Sequence, residues 1–178
     1  MPGSTFLAGD EVTLRTVERE HLDFLQTHRN DPEIRRWMPR ALPQNREQLE
    51  SEFEGYISDD SGVNLVVSVD GDPIGFVSLF DLQHDSGRAR IAAWFAPDEQ
   101  GKGYGTEAAE LLVDYAFDER RLHKLVAGAL ATNDPSRGLL ESLGFEQEGR
   151  QRDHYFVRGE YVDRVVYGLL ETDWKNAT

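Results

Sequence analysis

The stretch Gln100-Gly101-Lys102-Gly103-Tyr104-Gly105 decides the fold of this chain. A short apolar strand is predicted just before it, at 91–95, and a helix from Thr106 to Phe117 just after it. Glycines at alternate positions let the backbone approach a ligand closely, because they carry no Cβ. The first N–H groups of the helix have no partner inside it and bear its positive end. The stretch therefore predicts an anion site, and a diphosphate is the ligand that fits best.

Several known loop patterns compete for this stretch. Residues 103–108 fit the dinucleotide pattern G-x-G-x-x-A, but that fold needs several further strand–helix units, and only about seventy residues follow. A P-loop needs a glycine where Ala96 stands, and a serine or threonine rather than Gly103 after the lysine. The acyl-CoA loop pattern Q/R-x-x-G-x-G/A is matched at every fixed position by Gln100, Gly103 and Gly105. An ordinary strand-to-helix turn also stays open, because a glycine cluster alone is a weak signal.

The composition limits which partners are possible. Lys and Arg total 19 against 33 Asp and Glu, which gives the 178 residues a formal net charge of -14. Such a surface repels nucleic acids and anionic membranes, and it attracts cationic acceptors such as amines. Solubility alone is the alternative explanation. The acid-rich, lysine-poor composition is also typical of a halophile-like protein from a high-salt cytoplasm.

The chain contains no cysteine, which excludes disulfides, a thiolate nucleophile and cysteine-based metal sites. The five histidines are scattered along the chain, so no metal site is predicted. We find no apolar signal-like segment and no stretch of membrane-spanning length, and we therefore expect a cytoplasmic protein. The length predicts one domain over residues 1–178.

Alternation and turn residues predict a series of strands interrupted by helices. The strands lie near 11–16, 64–69, 73–80, 91–95, 124–129, 145–157 and 160–171. The first strand is followed by a helical insert, in which Asp31 and Pro32 predict a capped helix start and Asn45 to Ile57 a further helix. After the glycine loop and its helix, residues 133–136 cap another helix, whose end is marked by Gly144.

Three ordered stretches resemble the GNAT acetyltransferases, and in particular the RimJ/RimL branch, whose members acetylate protein N-termini. They are Val12-Thr13-Leu14-Arg15 with Asn30-Asp31-Pro32-Glu33, then Trp94-Phe95-Ala96-Pro97 with 100–107, then Asn133-x-x-Ser136-Arg137 with Leu143-Gly144-Phe145 and Glu148-Gly149. The resemblance implies the α+β (α/β) GNAT fold: a mixed, mostly antiparallel sheet of about seven strands flanked by about four helices. A splay between the fourth and fifth strands is part of that fold.

The resemblance also implies where acetyl-CoA, the co-substrate, would bind. It would lie in the splay, with its diphosphate on backbone amides 101–106 and its thioester carbonyl polarised by a backbone N–H near 94–96. Asn133 would hydrogen-bond the pantetheine arm as well as cap its helix, and Lys102 would add a phosphate contact. The predicted cofactor-binding residues are Trp94, Phe95, Ala96, Gln100, Gly101, Lys102, Gly103, Tyr104, Gly105, Thr106, Asn133, Ser136 and Arg137.

The catalytic residues follow the family pattern less closely. Many family members protonate the leaving thiolate with a tyrosine seven residues after the asparagine, but Leu140 stands there, and Ser136 resembles the substitute of the RimL-like branch. The branch often has glutamate where Arg90 stands, so the general base is open. Two further catalytic candidates lie on a late strand, His154 and Tyr155. The acceptor-side candidates are Glu33, Trp37 and Asp81.

These observations predict acetyl transfer from acetyl-CoA to an amine, with a protein N-terminal amine as the first choice. A small-molecule amine acetyltransferase acting on a polyamine, amino sugar or amino acid is one alternative, and a non-catalytic CoA-binding module is another. Because the chain has no cysteine and no G-x-S-x-G motif, we predict direct transfer in a ternary complex. The expected partners are acetyl-CoA and the acceptor, with a homodimer left open and with no nucleic acid, membrane or metal.

Overall fold

The computed structural model describes residues 3–38 and 42–177, and its centre is one eight-stranded sheet. In chain order the strands are β1 (Thr5–Ala8), β2 (Thr13–Thr16), β3 (Val63–Val69), β4 (Asp72–Gln83), β5 (Arg88–Phe95), β6 (Lys124–Leu130), β7 (Glu146–Val157) and β8 (Glu160–Leu170). Their order across the sheet is β1-β2-β3-β4-β5-β6-β8-β7. All neighbours are antiparallel except β5 and β6, as expected for a mixed sheet that is mostly antiparallel.

Helices cover the two faces of the sheet unequally. They are α1 (Leu22–Asn30), α2 (Pro32–Arg35), α3 (Arg46–Glu52), α4 (Tyr104–Asp118), α5 (Asp134–Ser142) and α6 (Glu171–Ala177). The main core lies between the sheet and the buried side of α4, with Leu112, Val113, Leu79 and Leu125 fully buried. A smaller core lies on the opposite face, where Leu22 and Leu25 of α1 and Leu49 of α3 contact Phe76.

The local signals in the sequence explain how the helical insert begins. Asp31 accepts a hydrogen bond from the backbone N–H of Glu33 over 2.8 Å, and Pro32 occupies the first helical position of α2. Asn45 caps α3 through the N–H of Gln48, also over 2.8 Å, and the backbone then continues from 53 to 57 as one π-helical turn. These caps satisfy N–H groups that a helix start otherwise leaves without partners.

Two elements were not predicted from the sequence. The first strand, β1, is short and mostly exposed, so it has no clear alternation of apolar and polar residues. The last helix, α6, begins directly after β8, and it is held to α4 by a hydrogen bond of 2.7 Å from Trp174 Nε1 to Asp114. Because β1 adds a strand at the front, the splay that was expected between the fourth and fifth strands lies between β5 and β6.

That splay is the feature that positions the site. The pairing of β5 with β6 extends only from Arg88–Lys124 to Arg90–Val126, and beyond those pairs the two strands separate. The rest of β5, up to Phe95, stays paired with β4 on its other side. The middle of the sheet therefore contains a V-shaped opening, and the glycine loop lies at its wide end. Among the described residues, none of the helices is both long and apolar enough to cross a membrane.

Candidate active site

The glycine loop forms the start of α4. Gly101 and Gly103 have φ of 75° and 92°, in the left-handed region that strains any residue with a Cβ, and Gly103 is the N-cap of the helix. A Cβ at either position would meet no protein atom within 4 Å, so the space beside the loop is open. Within residues 3–38 and 42–177, the backbone N–H groups of 101–105 have no hydrogen-bond acceptor. Five consecutive amides are thus available to a diphosphate.

The loop departs from the sequence prediction in two details. The N–H of Thr106, counted among the phosphate donors, instead bonds the carbonyl of Gly103 over 3.1 Å. Lys102 forms an ion pair of 3.0 Å with Glu99, which raises the pKa of the lysine above its ordinary value. Its ammonium is charged, but a phosphate would have to compete with Glu99 for it. Gln100 donates to the carbonyl of Phe95 over 3.0 Å and so ties the loop to the end of β5.

Two consecutive alanines leave both faces of β5 uncovered. Ala92 and Ala93 are both exposed, although they lie on β5 in the middle of the sheet. Because side chains alternate along a strand, Ala93 lies on the face of α4 and Ala92 on the face of α1 and α3. The α4 face also carries the glycine loop. Space is therefore open on both sides of β5, on the donor side at Ala93 and on the opposite side at Ala92.

The backbone of β5 supplies a hydrogen-bond donor in the splay. The N–H of Ala96 is used by the carbonyl of Ile74, over 2.8 Å, on the β4 side. Because N–H groups point alternately to the two neighbours of a strand, that of Phe95 points away from β4, into the splay. Of residues 94–96, Phe95 is therefore the one whose amide can polarise a carbonyl held between β5 and β6.

The start of α5 borders the splay from the β6 side. Oδ1 of Asn133 accepts the backbone N–H of Ser136 over 3.2 Å, which confirms the predicted cap. Neither the Asn133 Nδ2 group nor the Ser136 hydroxyl has a partner in the described part of the chain. Arg137 is engaged elsewhere, donating to the hydroxyl of buried Tyr167 over 3.1 Å. Leu140 packs against the main core.

The face opposite the glycine loop has an aromatic wall. Trp94 of β5 stacks on Phe24, His28 and Phe76, with ring centroids 5.6, 6.0 and 6.1 Å apart. Nδ1 of His28 donates to the carbonyl of Phe24 over 3.0 Å, so the neutral ring has its lone pair on Nε2. A nitrogen that can accept a proton thus lies on the face of the sheet where Ala92 is exposed.

Comparison with known proteins assigns this arrangement to a family. The model of the Acetyltransferase (GNAT) domain matches residues 11–146, well over half of the chain. The chain belongs to the GNAT acetyltransferases.

Similar proteins are named for more than one kind of acceptor. Spermidine N(1)-acetyltransferase of Escherichia coli K12 is 31% identical over 86% of this chain and 83% of its own. YdaF of Bacillus subtilis 168, named as a ribosomal N-acetyltransferase, is 29% identical over 96% and 97%. The solved spermidine N-acetyltransferase of Vibrio cholerae, in complex with CoA and spermine, superimposes with a TM-score of 0.89 at 27% identity, over 94% of this chain and all of that one.

The GNAT fold, the splay and the use of acetyl-CoA by an N-acetyltransferase are thereby confirmed. Assignment to the RimJ/RimL branch does not follow, because spermidine acetyltransferases are as similar to this chain as YdaF. The acetyltransferase shows no cluster of three or more His, Asp or Glu side chains that could hold a metal ion within its described residues.

The structure separates several predicted residues from the splay. His154 and Tyr155 lie on the edge strand β7, with β8 and β6 between them and the opening, and their rings contact each other edge to face at 4.6 Å. Glu33 is exposed at the start of α2, Trp37 packs under the guanidinium of Arg36, and Asp81 is exposed with φ 52° at an irregular turn of β4. Their roles in catalysis or acceptor binding stay predictions.

The sequence prediction missed other residues on this face. Phe24 and His28 belong to an amphipathic helix, where aromatic residues first suggest a core. Ser78 and Asn64 lie in one cross-strand row with Ala92. Arg90 lies on the same face, two residues before Ala92 along β5. The alternation along β4 and β5 could have identified the row, but only if their register had been known.

Proposed function

We propose that this enzyme transfers the acetyl group of acetyl-CoA to a small-molecule amine, directly and with both substrates bound. The observation that carries the proposal is the pair of exposed alanines, Ala92 and Ala93, on opposite faces of β5 beside the splay. A thioester entering from the glycine loop and an amine entering from the aromatic wall would meet between β5 and β6. The similarity to spermidine acetyltransferases supports a small acceptor over a protein N-terminus.

The reaction needs a neutral amine, a polarised carbonyl and a proton for the departing thiolate. In our proposal the amide of Phe95 polarises the carbonyl, and the amine nitrogen attacks the carbonyl carbon. His28 Nε2, directly or through a water, accepts the proton that the amine loses. The C–S bond then breaks, and the hydroxyl of Ser136 supplies a proton to the sulfur while it takes another from solvent. His28 releases the proton of the amine to solvent. The products are the N-acetylated amine and free CoA.

A protein N-terminal amine is the second candidate, favoured by the similarity to YdaF over nearly the whole chain. The two candidates differ in the size of the acceptor. Acetylation of peptides with several N-terminal sequences, and of none of the small amines, would favour the second candidate and contradict the first.

The test measures CoA release against a panel of polyamines, amino sugars, amino acids and short peptides. Because the enzyme has no cysteine, a thiol reagent reports only free CoA, and mass spectrometry identifies the acetylated product. Initial rates with both substrates varied should give intersecting reciprocal plots. Parallel lines, or an acetylated enzyme trapped without acceptor, would contradict direct transfer. Acetyl-CoA binding by calorimetry without any CoA release would instead indicate a non-catalytic module.

A further inference from the structure

We infer that the acceptor amine also carries a carboxylate, and that Arg90 binds this carboxylate on the face of the sheet where Ala92 is exposed. The inference rests on the proposed function and narrows its substrate class to amino acids and similar zwitterions. It concerns a residue that selects the acceptor, since Arg90 takes no part in the acetyl transfer itself.

Arg90 lies where the splay begins. It is paired with Phe80 of β4 on one side and with Val126 of β6 on the other, and Arg90–Val126 is the last pair before the strands separate. It shares a face with Ala92 and Trp94, because these residues are two and four positions along the strand. The helices α1 and α3 cover Trp94 but leave Ala92 exposed. Arg90 thus borders the uncovered part of the acceptor face.

The guanidinium of Arg90 has no carboxylate partner among the described residues. Its Cζ lies 4.8 Å from the centroid of the Phe80 ring, a cation–π contact that occupies the face of the guanidinium and none of its N–H donors. The side chain is half-buried. Arg29, also half-buried, differs from Arg90 in that it has a carboxylate partner within the protein, with a 2.7 Å ion pair to Glu52. A guanidinium binds a carboxylate through two parallel hydrogen bonds, so Arg90, whose donors are unused among the described residues, can receive a carboxylate that arrives with a ligand.

A second donor on the same face also lacks an acceptor. Asn64 is buried to 8% exposure, and its Oδ1 accepts the Ser78 hydroxyl over 2.9 Å, but its Nδ2 has no partner within the described chain. Asn64, Ser78 and Ala92 are directly opposite one another on β3, β4 and β5. Buried donors are rarely left unpaired in native proteins. An unpaired donor suits a carboxylate, whereas the ammonium groups of a polyamine need hydrogen-bond acceptors.

The third donor lies across the splay. Arg164 of β8 extends over Gly128 of β6, where an added Cβ would lie 2.5 Å from its Nε. It donates to Gln151 over 3.2 Å and forms no ion pair in the part of the chain that the structure describes. The net charge of -14 attracts cations from a distance, but at contact range these guanidiniums determine which charge is stabilised. A zwitterion has an amine that the net charge attracts and a carboxylate that the guanidiniums stabilise.

The spacing suits a short amino acid. The Cα atoms of Arg90 and Ala92 are about 7 Å apart along an extended strand, and both side chains lie on the same face of the sheet. An acceptor whose carboxylate contacts Arg90 can therefore present an amine beside the splay with only a few intervening bonds.

The experiment compares kcat/KM for three acceptors of equal chain length: 4-aminobutanoate, 4-aminobutanamide and 1,4-diaminobutane, with α-amino acids and their amides as a second set. We expect the wild type to prefer the carboxylates. Arg90→Glu should reverse the preference, changing the ratio of carboxylate to diamine by about 10²-fold or more. Arg90→Gln should weaken the preference and Arg90→Lys should retain part of it. Arg88→Glu makes the same charge change on the same face, outside the splay, and should leave the ratio unchanged.

Two results would overturn the inference while the proposed function stands. One is a wild type that prefers the diamine, with a ratio that Arg90→Glu does not change. The other is a loss of kcat with every acceptor in Arg90→Gln and Arg90→Glu at constant ratio, which would place the guanidinium on the thioester. If no small amine is acetylated by the wild type, the proposed function itself fails. Unchanged acetyl-CoA affinity and melting temperature establish that the variants are folded.

Discussion

The backbone N–H of Ser136 donates to Oδ1 of Asn133 over 3.2 Å, so one side chain caps α5 and also orients the turn that carries the Ser136 hydroxyl. The Nδ2 group of Asn133 remains available for a ligand. We expect Asn133→Ala to cost about 1 kcal/mol of stability and to weaken acetyl-CoA binding. Asn133→Asp keeps the capping oxygen and removes the amide donor. It should therefore retain the melting temperature and still lose acetyl-CoA affinity. If Asn133→Asp binds acetyl-CoA as the wild type does, the residue is only a helix cap.

Ser136 is expected to act in the chemical step and not in binding. A positioned proton donor contributes about 10²–10⁴-fold, and a thiolate leaves easily, so Ser136→Ala should lower kcat by a factor near the low end of that range. Acetyl-CoA affinity should stay the same because the glycine loop is intact. Ser142→Ala, in the last turn of the same helix, is the matched control and should leave kcat unchanged. A fully active Ser136→Ala would contradict the proton-donor role of Ser136 and leave a bound water as the donor.

The glycine loop is expected to fail when Gly103 gains a side chain. Gly103→Val should abolish acetyl-CoA binding, since the branched side chain would occupy the open space where the phosphates approach and would strain a backbone at φ 92°. Gly159→Val is the control, because Gly159 has φ 89° and equally open surroundings at the turn between β7 and β8. Both variants should lose similar stability, and only Gly103→Val should lose binding in calorimetry. Unchanged affinity in folded Gly103→Val would contradict the assignment of the loop.

The backbone features of the donor side can be predicted from the sequence, whereas the rows of residues on the acceptor side cannot. The donor side depends on backbone geometry, and glycines and helix caps report backbone geometry directly, as at Gly103 and Asn133. The acceptor side depends on which residues of different strands lie in one row. Asn64, Ser78 and Ala92 are far apart in sequence, and only the register of β3, β4 and β5 brings them together.

Single residues on the late strands illustrate the same limit. His154 and Tyr155 are predicted as catalytic candidates because they lie on a late strand, and the structure places that strand, β7, at the edge of the sheet. Histidine and tyrosine side chains can both transfer protons, which suggests a catalytic role from the sequence. Their distance from the splay depends on the order of strands in the sheet. In the sequence, Arg90 is only a departure from the glutamate of the family pattern. That its guanidinium has no carboxylate partner among the described residues is a property of the fold.

Acid should destabilise the enzyme through His21 before its carboxylates titrate. The ring is buried to 4% exposure, and Nδ1 accepts the backbone N–H of Glu18 over 2.9 Å, so the histidine is neutral in the fold. Burial lowers the pKa of His21 below its ordinary value near 6.5, against the opposing effect of Glu20 and Glu18. The unfolded chain therefore binds more protons than the folded one just below that value. The resulting stability is complete above about pH 6.5 and is lost as the pH falls towards the folded pKa.

The His21 effect is separated from other titrations by a variant. In His21→Gln an amide oxygen can replace Nδ1 as the acceptor for Glu18, but it cannot be protonated in this range. Denaturant unfolding of both proteins is compared from about pH 7.5 to about pH 5, on both sides of the ordinary histidine pKa. The two curves of unfolding free energy against pH should diverge below about pH 6.5, where the wild type loses more free energy of unfolding. Parallel curves would mean that the fold does not lower the pKa of His21.

Salt should stabilise this acidic protein by screening its net charge of -14. Screening also weakens the surface ion pairs, such as Lys124–Glu148, but exposed pairs contribute at most about 1 kcal/mol each. Self-repulsion should dominate, so the melting temperature should rise with KCl. The Debye length falls from about 30 Å at 0.01 M to about 3 Å at 1 M, so a screening effect should be steepest at low salt and level off.

A rise that continues evenly to molar KCl would indicate exclusion of salt from the protein surface instead. A flat melting temperature would contradict the high-salt interpretation and leave attraction of the amine acceptor as the better explanation of the acidity.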